Sequence, residues 1–195
     1  MTIVRDDPSS PDDGFAELYA QLPDATDLFP WLELATAAAP PVLYLGIGAG
    51  RLAVPLDAAG IELVGVDSHG GMLARLQERL PHIELIRSRI EDLDLGRRFD
   101  LVVVPSNILC SRDRLRFAAN HVAADGTLAL ELTNPYWLMA GASRGVRVQS
   151  FDGNWARFEV DYTLPDGRTI TQQAEIPLVW PEEVENWLAA VGGLK

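Results

Sequence analysis

Between residues 42 and 132, short apolar runs alternate with longer amphipathic stretches. The apolar runs predict buried strands at residues 42–45, 61–66, 83–87, 100–104 and 127–132. The amphipathic stretches predict helices at residues 51–59, 70–80 and 112–124, the last ending at Asp125-Gly126. This alternation is typical of a parallel sheet with crossover helices.

The pattern changes after residue 145, where residues 146–151, 155–164 and 168–178 alternate apolar with polar positions around two glycine-containing turns. It predicts an antiparallel meander over residues 146–180, followed by a helix at 181–192. At the other end, residues 14–40 predict helices that stop at Pro40-Pro41. Residues 1–13, rich in Pro and Asp, predict a disordered leader, so that 14–195 form a single domain.

Composition limits the possible partners and the compartment. The chain has 195 residues, with 16 basic against 28 acidic side chains and a net charge of -12, which disfavours a nucleic-acid substrate. Cys110 has no second cysteine to pair with, no signal-like segment opens the chain, and no apolar run is long enough to cross a membrane. We expect a cytoplasmic protein. Its three histidines are scattered, so no metal site is predicted.

Three glycines, Gly46, Gly48 and Gly50, follow the first strand of the predicted parallel sheet, where such a sheet presents backbone N–H groups to ligands. Glycine lets a ligand lie directly on the backbone, although a tight structural turn would also explain the cluster. Arg51 stands where the dinucleotide fingerprint has its third glycine, which disfavours a nicotinamide or flavin cofactor.

Asp67 ends the second strand of that sheet, about 20 residues further on, where a carboxylate can accept hydrogen bonds from both hydroxyls of a ribose. Asp67 could instead cap the helix that begins near His69, and both roles can coexist. The glycines and the acid together indicate a nucleoside-bearing cofactor.

Five motifs in order resemble the small-molecule branch of the class I S-adenosylmethionine-dependent methyltransferases. They read Gly-Ile-Gly-Ala-Gly-Arg-Leu-Ala at residues 46–53, Val-Gly-Val-Asp-Ser at 64–68, Ile-Glu-Asp-Leu at 90–93, Phe-Asp-Leu-Val-Val-Val at 99–104 and Val-Ala-Ala-Asp-Gly-Thr-Leu at 122–128. The resemblance implies an α/β fold, a Rossmann-like three-layer sandwich with a mostly parallel sheet of order 3-2-1-4-5. Its cofactor-binding core would span residues 42–134.

The resemblance also implies roles for single residues. The glycines would face the methionine portion of S-adenosylmethionine, and Asp67 the ribose. Met72 and Ile90 would contact the adenine faces, and Glu91 or Asp92 its amino group. The full cofactor-binding set is Tyr19, Gly46, Gly48, Gly50, Arg51, Asp67, Ser68, Met72, Ile90, Glu91, Asp92 and Pro105. Candidates beside the acceptor are Ser106, Asn107 and Tyr136.

The expected reaction is methyl transfer to nitrogen or oxygen of a small molecule. The sequence offers no convincing general base, which favours an amine or an already acidic hydroxyl. Two alternatives remain open: a non-methylating relative such as a natural-product cyclase, and a non-catalytic interaction module. Asn134-Pro135-Tyr136 resembles the base-holding motif of nucleic-acid amino-methyltransferases, but it follows the fifth strand rather than the fourth, so we reject that function.

Two expectations concern the meander. Its aromatic residues Trp155, Phe158, Tyr162 and Trp180 could form one wall of the acceptor pocket, although ordinary sheet packing would also explain them. Similar proteins continue into two further strands after the last helix, whereas this chain ends at Lys195. We therefore expect either a shortened chain, or the meander and a partner subunit covering the edge of the fifth strand, as in a homodimer.

Overall fold

The computed structural model describes residues 2–6, 13–142 and 145–191. The strands in these residues are β1 (Thr2–Asp6), β2 (Val42–Leu45), β3 (Leu63–Asp67), β4 (Glu84–Arg87), β5 (Phe99–Val104), β6 (Val122–Leu130), β7 (Val146–Asp152), β8 (Trp155–Thr163) and β9 (Thr169–Pro177). The helices are α1 (Asp13–Gln21), α2 (Trp31–Ala37), α3 (Ala53–Ala58), α4 (Gly70–Arg79), α5 (Arg112–Ala119), α6 (Pro135–Met139) and α7 (Pro181–Val191).

Five strands form an all-parallel sheet of order β4-β3-β2-β5-β6, which confirms the predicted order. Successive side chains of β2 enter different cores. Val42 and Tyr44 pack with Trp31 and other residues of α2, α3 and α4, while Leu43 and Leu45 pack with a cluster that includes Ala118 of α5. Because both faces are covered, every β2 residue is buried and the strand shows no apolar-polar alternation. The three-layer prediction is correct.

The meander forms as predicted, with β7, β8 and β9 antiparallel, but its sheet has a fourth strand. Strand β1 pairs in parallel with the outer edge of β9, so the prediction of a disordered leader is wrong for Thr2–Asp6. Val4 is only 3% exposed and packs against Leu18 and Ile170. Val4 thus gains burial that composition alone did not reveal, whereas Ile3 stays 50% exposed. Residues 1 and 7–12 of the predicted leader lie outside the described part.

The predicted end of the helix at Asp125-Gly126 is also wrong. Helix α5 ends at Ala119, and the dipeptide lies inside β6, beside a register shift between β5 and β6. A Cβ on Gly126 would lie 2.9 Å from the carbonyl oxygens of Phe99 and Asp100, so the irregular pairing requires glycine there. The pair marks a bulge rather than a helix stop.

The short helix α6 was not predicted. Asn134 caps it by accepting a hydrogen bond from the Tyr136 N–H at 2.9 Å, and Pro135 occupies its first turn. The Asn-Pro-Tyr sequence therefore has a local structural role.

Strand β6 is an edge of the parallel sheet, and no strand in the described residues pairs with its outer side. The meander forms a separate sheet, so it does not extend the parallel sheet at this edge. Helix α7 packs on α5, and an apolar cavity of about 350 Å³ lined by Trp31, Leu128 and Leu188 lies between α2, β6 and α7. Among the described residues, β6 is therefore paired on one side only, with β5.

Candidate functional site

A cavity of about 510 Å³ lies between the carboxyl ends of the parallel strands and the inner face of the meander. One wall comes from the residues that end or follow β2, β3, β5 and β6, and the opposite wall from β8 and β9. Its size suits a small ligand. The carboxyl edge of an open parallel sheet is the usual place for such a site.

The glycine loop begins at this cavity. Gly46, Gly48 and Gly50 have φ values of +75°, +57° and +91°, which side chains of L-residues rarely allow. Gly46 lines the cavity, and a Cβ there would lie 1.9 Å from Cδ1 of Ile108. Gly50 has a different reason, since a Cβ there would lie 2.5 Å from Cδ1 of Leu76 in α4. Gly46 therefore permits the close approach of Ile108 at the cavity, whereas Gly50 permits close helix packing.

Asp67 lies at the end of β3, and its carboxylate points toward the glycine loop. Its Oδ2 accepts a hydrogen bond from the Gly48 N–H at 2.8 Å, and its Oδ1 accepts one from the His69 N–H at 2.8 Å. Burial raises the pKa of Asp67 above its ordinary value, although these amide hydrogen bonds partly oppose the shift. Each carboxylate oxygen retains a lone pair, and Asp67 lines the cavity, so it can accept hydrogen bonds from two ligand hydroxyls.

The residues after β4 form the next part of the rim. Ile90 and Glu91 line the cavity, while Asp92 is exposed outside it. Arg114 of α5 donates from Nε to Glu91 at 2.8 Å. Burial alone would raise the pKa of Glu91, but the Arg114 hydrogen bond and the charges of Arg114 and Arg89 outweigh it, so the pKa lies below its usual range. Of the two acids left open by the sequence, Glu91 alone faces the cavity.

Tyr19 of α1 lines the cavity where three parts of the molecule meet. Its ring packs 4.6 Å from Phe15 and 6.2 Å from Tyr162 of β8, measured between centroids. The Arg51 guanidinium lies 5.9 Å from the centroid of the Tyr19 ring. Helix α1 thus contributes Tyr19 to the cavity wall.

The segment after β5 has unusual backbone geometry. Ser106 and Asn107 have φ values of +73° and +55°, and both line the cavity. The Asn107 N–H donates to the Glu131 carbonyl at 3.0 Å, and Asn107 Oδ1 accepts from the Thr133 N–H at 2.8 Å. These bonds fix the loops after β5 and β6 to each other. Left-handed residues held in this way are common at functional sites.

The structure brings together eight of the predicted site residues as cavity lining: Tyr19, Gly46, Asp67, Ser68, Ile90, Glu91, Ser106 and Asn107. Others lie outside the lining. Met72 is buried behind the loop with Ala16 and Ala49, and Arg51 donates to the Pro23 carbonyl at 3.0 Å. Tyr136 is 56% exposed and packs edge-on against Trp180. Also outside the lining are Gly48, Gly50, Asp92 and the buried Pro105.

Three of the four aromatic residues expected to form the acceptor wall do line the cavity, namely Trp155, Phe158 and Tyr162, whereas Trp180 does not. Sequence reasoning missed Arg114, Glu131 and Gln172 as lining residues. Gln172 carried a weak signal, since it is polar at a position of β9 that pairs with Val4 and Val160. No signal in the sequence pointed to Arg114, because its contact with Glu91 joins positions 23 residues apart.

Two absences apply to the described residues only. No group of three or more His, Cys, Asp or Glu side chains there could hold a metal ion. None of the helices in that part is both long and apolar enough to span a membrane.

Comparison with known proteins identifies the domain that carries this loop and acid. Residues 42–125 match the family model described as "Methyltransferase domain". The chain carries a methyltransferase domain. The recognition made from the five motifs is therefore confirmed. A curated relative, an uncharacterized methyltransferase from Alkaliphilus oremlandii (strain OhILAs), is 28% identical over 61 residues, which is 31% of this chain and 28% of the relative.

Solved structures extend the similarity beyond the methyltransferase domain. The CcbJ methyltransferase from Streptomyces caelestis aligns with a TM-score of 0.68 and 22% identity, covering 91% of this chain and 84% of that one. CalS10 from Micromonospora echinaspora, an amino pentose methyltransferase solved with S-adenosylmethionine bound, aligns with a TM-score of 0.66 and 23% identity. That alignment covers 95% of this chain and 85% of CalS10. At these identities the alignments establish the fold, including the meander.

Proposed function

We propose that this protein transfers a methyl group from S-adenosylmethionine to the amino nitrogen of a small molecule. The observation that carries the proposal is the Asp67 carboxylate, held by the amides of Gly48 and His69 at the rim of the cavity. The methyltransferase-domain match over the same residues supports it.

The residues present fit this cofactor. Asp67 would accept from the ribose hydroxyls, Gly46 would lie beneath the methionine portion, and Ile90 with Glu91 would face the adenine. When bound, S-adenosylmethionine supplies an electrophilic methyl group whose carbon–sulfur bond breaks, leaving the electron pair on sulfur as the acceptor atom forms its new bond. The protein contributes orientation and exclusion of water.

The acceptor side of the cavity favours an amine. Four carboxylates line the cavity, from Asp67, Glu91, Glu131 and Glu175, against two guanidinium groups, from Arg89 and Arg114. Such a surface attracts cations and repels anions. The aromatic wall of Trp155, Phe158 and Tyr162 supplies apolar area for the body of the acceptor. The structural similarity to CalS10, described as an amino pentose methyltransferase, supports the same class of acceptor.

Calorimetry followed by a transfer assay tests the proposal. The protein should bind S-adenosylmethionine and S-adenosylhomocysteine, and should then move labelled methyl to an amino sugar such as glucosamine but not to glucose, its hydroxyl counterpart. Cofactor binding without transfer to any amine would favour the non-methylating relative. Absence of binding for both cofactor forms would favour an interaction module.

We further propose that the protein works in the cytoplasm, without nucleic-acid partners, and as a homodimer. The net charge of -12 supports the exclusion of nucleic acid. The edge of β6 and the adjacent apolar cavity at Leu128 and Leu188 support a second copy at that place. Light scattering of the purified protein should give twice the chain mass of 21.3 kDa, and a monomer mass would overturn the dimer.

A further inference from the structure

We propose that Glu131 binds the protonated amine of the acceptor beside the methyl group to be transferred. This inference rests on the proposed N-methyl transfer and assigns one residue to recognition of the acceptor. Sequence reasoning gave Glu131 no role, because it lies outside every recognisable motif.

Glu131 is set apart from the other three carboxylates of the cavity by its lack of a partner. Both oxygens of Asp67 accept backbone hydrogen bonds. Glu91 is paired with Arg114 at 2.8 Å, and Glu175 with Arg157 at 3.0 Å. Across residues 2–6, 13–142 and 145–191, no hydrogen bond or ion pair engages the carboxylate of Glu131. It can therefore receive a cation without first losing an existing partner.

The backbone of Glu131 is fixed even though its carboxylate is unengaged. Its N–H donates to the Val104 carbonyl at 3.1 Å, and its carbonyl accepts from the Asn107 N–H at 3.0 Å. These bonds hold Glu131 at the carboxyl end of β5, against the left-handed Ser106-Asn107 pair. A binding group on a fixed backbone loses less entropy when it orders around a ligand.

The order of strands places Glu131 on the acceptor side of the cofactor cradle. Along the carboxyl edge, Asp67 ends β3, Gly46 follows β2, Ser106 follows β5 and Glu131 follows β6. A ligand that extends from Asp67 across Gly46 therefore runs toward Glu131, with adjacent strands about 4.8 Å apart. Consistent with this, Tyr44 on the central strand has its pKa raised mainly by burial, with Asp67 and Glu131 adding to the shift.

The chemistry of the acceptor matches a carboxylate. An amine is an ammonium ion at neutral pH, and methylation of a neutral amine again yields a cation. A hydrogen bond between an ammonium ion and a carboxylate is charge-assisted, and such bonds are stronger than those between neutral groups. Glu131 would therefore select amines over alcohols and orient the nitrogen, and the ammonium group would pass its proton to bulk solvent before the neutral nitrogen takes the methyl group.

Comparison of two cofactor analogues tests this without knowledge of the acceptor. Sinefungin carries an amino group where S-adenosylmethionine carries its methyl, whereas S-adenosylhomocysteine has no group there. Calorimetry should show that E131Q loses roughly tenfold in affinity for sinefungin, the size expected for one charge-assisted hydrogen bond, and keeps its affinity for S-adenosylhomocysteine. The variant should remain folded, since Glu131 is exposed.

The matched control is E185Q, the same chemical change on an exposed residue of α7 outside the cavity. It should leave both affinities at wild-type values. An E131Q variant with an unchanged ratio of the two affinities would overturn the role of Glu131 while the cofactor site stands. Failure of the wild-type protein to bind either analogue would instead remove the proposed function, and this inference with it.

Discussion

The two sheets of this protein contribute to the cavity in different ways. The parallel sheet supplies mainly backbone: amides and carbonyls of the loops after β2 and β5, left-handed glycines, and the Asp67 carboxylate that the Gly48 and His69 amides orient. The antiparallel sheet supplies mainly side chains, among them Trp155 and Phe158.

The difference shows where specificity can change. A backbone cradle depends on loop geometry and tolerates few substitutions, so it suits a ligand that does not vary, such as the proposed cofactor. Side chains on the inner face of β8 and β9 can be exchanged without altering strand pairing, because the outer face carries an ion pair of its own between Arg147 and Asp161. Acceptor choice is therefore expected to reside in the meander.

The largest expected effect is on the cradle. Asp67→Ala removes the acceptor for both ribose hydroxyls, and each charge-assisted hydrogen bond contributes about 1.5–3 kcal/mol. We expect the Kd for S-adenosylhomocysteine, measured by calorimetry, to rise about 100-fold or more. Asp92→Ala, at the exposed acid outside the cavity, serves as the control and should leave that Kd unchanged. Equal losses in the two variants would contradict the assignment.

The next prediction concerns the free energy of unfolding, measured by chemical denaturation, of two glycine variants, one for each sheet. Gly126→Ala forces a Cβ to within 2.9 Å of two backbone oxygens of β5, which cannot move as a side chain can. Its free energy of unfolding should fall by about 2–3 kcal/mol, as for overpacking of a tight site. Gly153→Ala in the β7–β8 turn meets open space and is strained only by its φ of +56°, so it should cost about 1 kcal/mol. The reverse order would contradict this account.

A pH titration separates binding from folding at Asp67. Burial raises its pKa above the ordinary value of 3.8, so protonation begins at a higher pH than for an exposed aspartate. Cofactor affinity should weaken as the pH falls through this pKa, by at most about tenfold per pH unit. For folding the sign is opposite: a raised pKa means that the ionised group costs stability above that pKa, and protonation removes the cost. Asp67→Asn should abolish the pH dependence of binding that arises from this group.

The smallest effect is on the acceptor wall. Trp155 is 47% exposed at the cavity, so Trp155→Ala removes apolar area that an acceptor would cover without emptying the core. We expect KM for an amine acceptor to rise a few-fold, with kcat and the cofactor Kd nearly unchanged. Phe151→Ala, 44% exposed and outside the cavity lining, is the control and should change none of the three. A changed cofactor Kd for Trp155→Ala would contradict the assignment of cofactor binding to the parallel sheet and of acceptor binding to the meander.

Much of the parallel core could be predicted because its signals are local. A four-residue apolar run followed by glycines allows few structures other than a buried strand that ends in a ligand-binding turn, and Asp67 follows the next such run. The same local reasoning failed at Asp125-Gly126, where a helix stop and a β-bulge have the same residue pair. It failed also for β1, whose partner strand begins at Thr169. A five-residue segment that pairs with a strand so far along the chain shows no hydrophobic periodicity from which the pairing could be predicted.

The sequence by itself determined the strands of the parallel sheet, the meander, the glycine loop and the acid at 67, because backbone conformation and apolar periodicity depend on neighbouring residues. The strand order was implied by the resemblance to a family. Only the tertiary structure decided which polar side chains face the cavity. Arg114 reaches Glu91, and Glu131 comes to lie beside Asn107, through contacts between segments more than 20 residues apart. Such contacts depend on how whole strands and helices pack, which residue spacing along the chain does not encode.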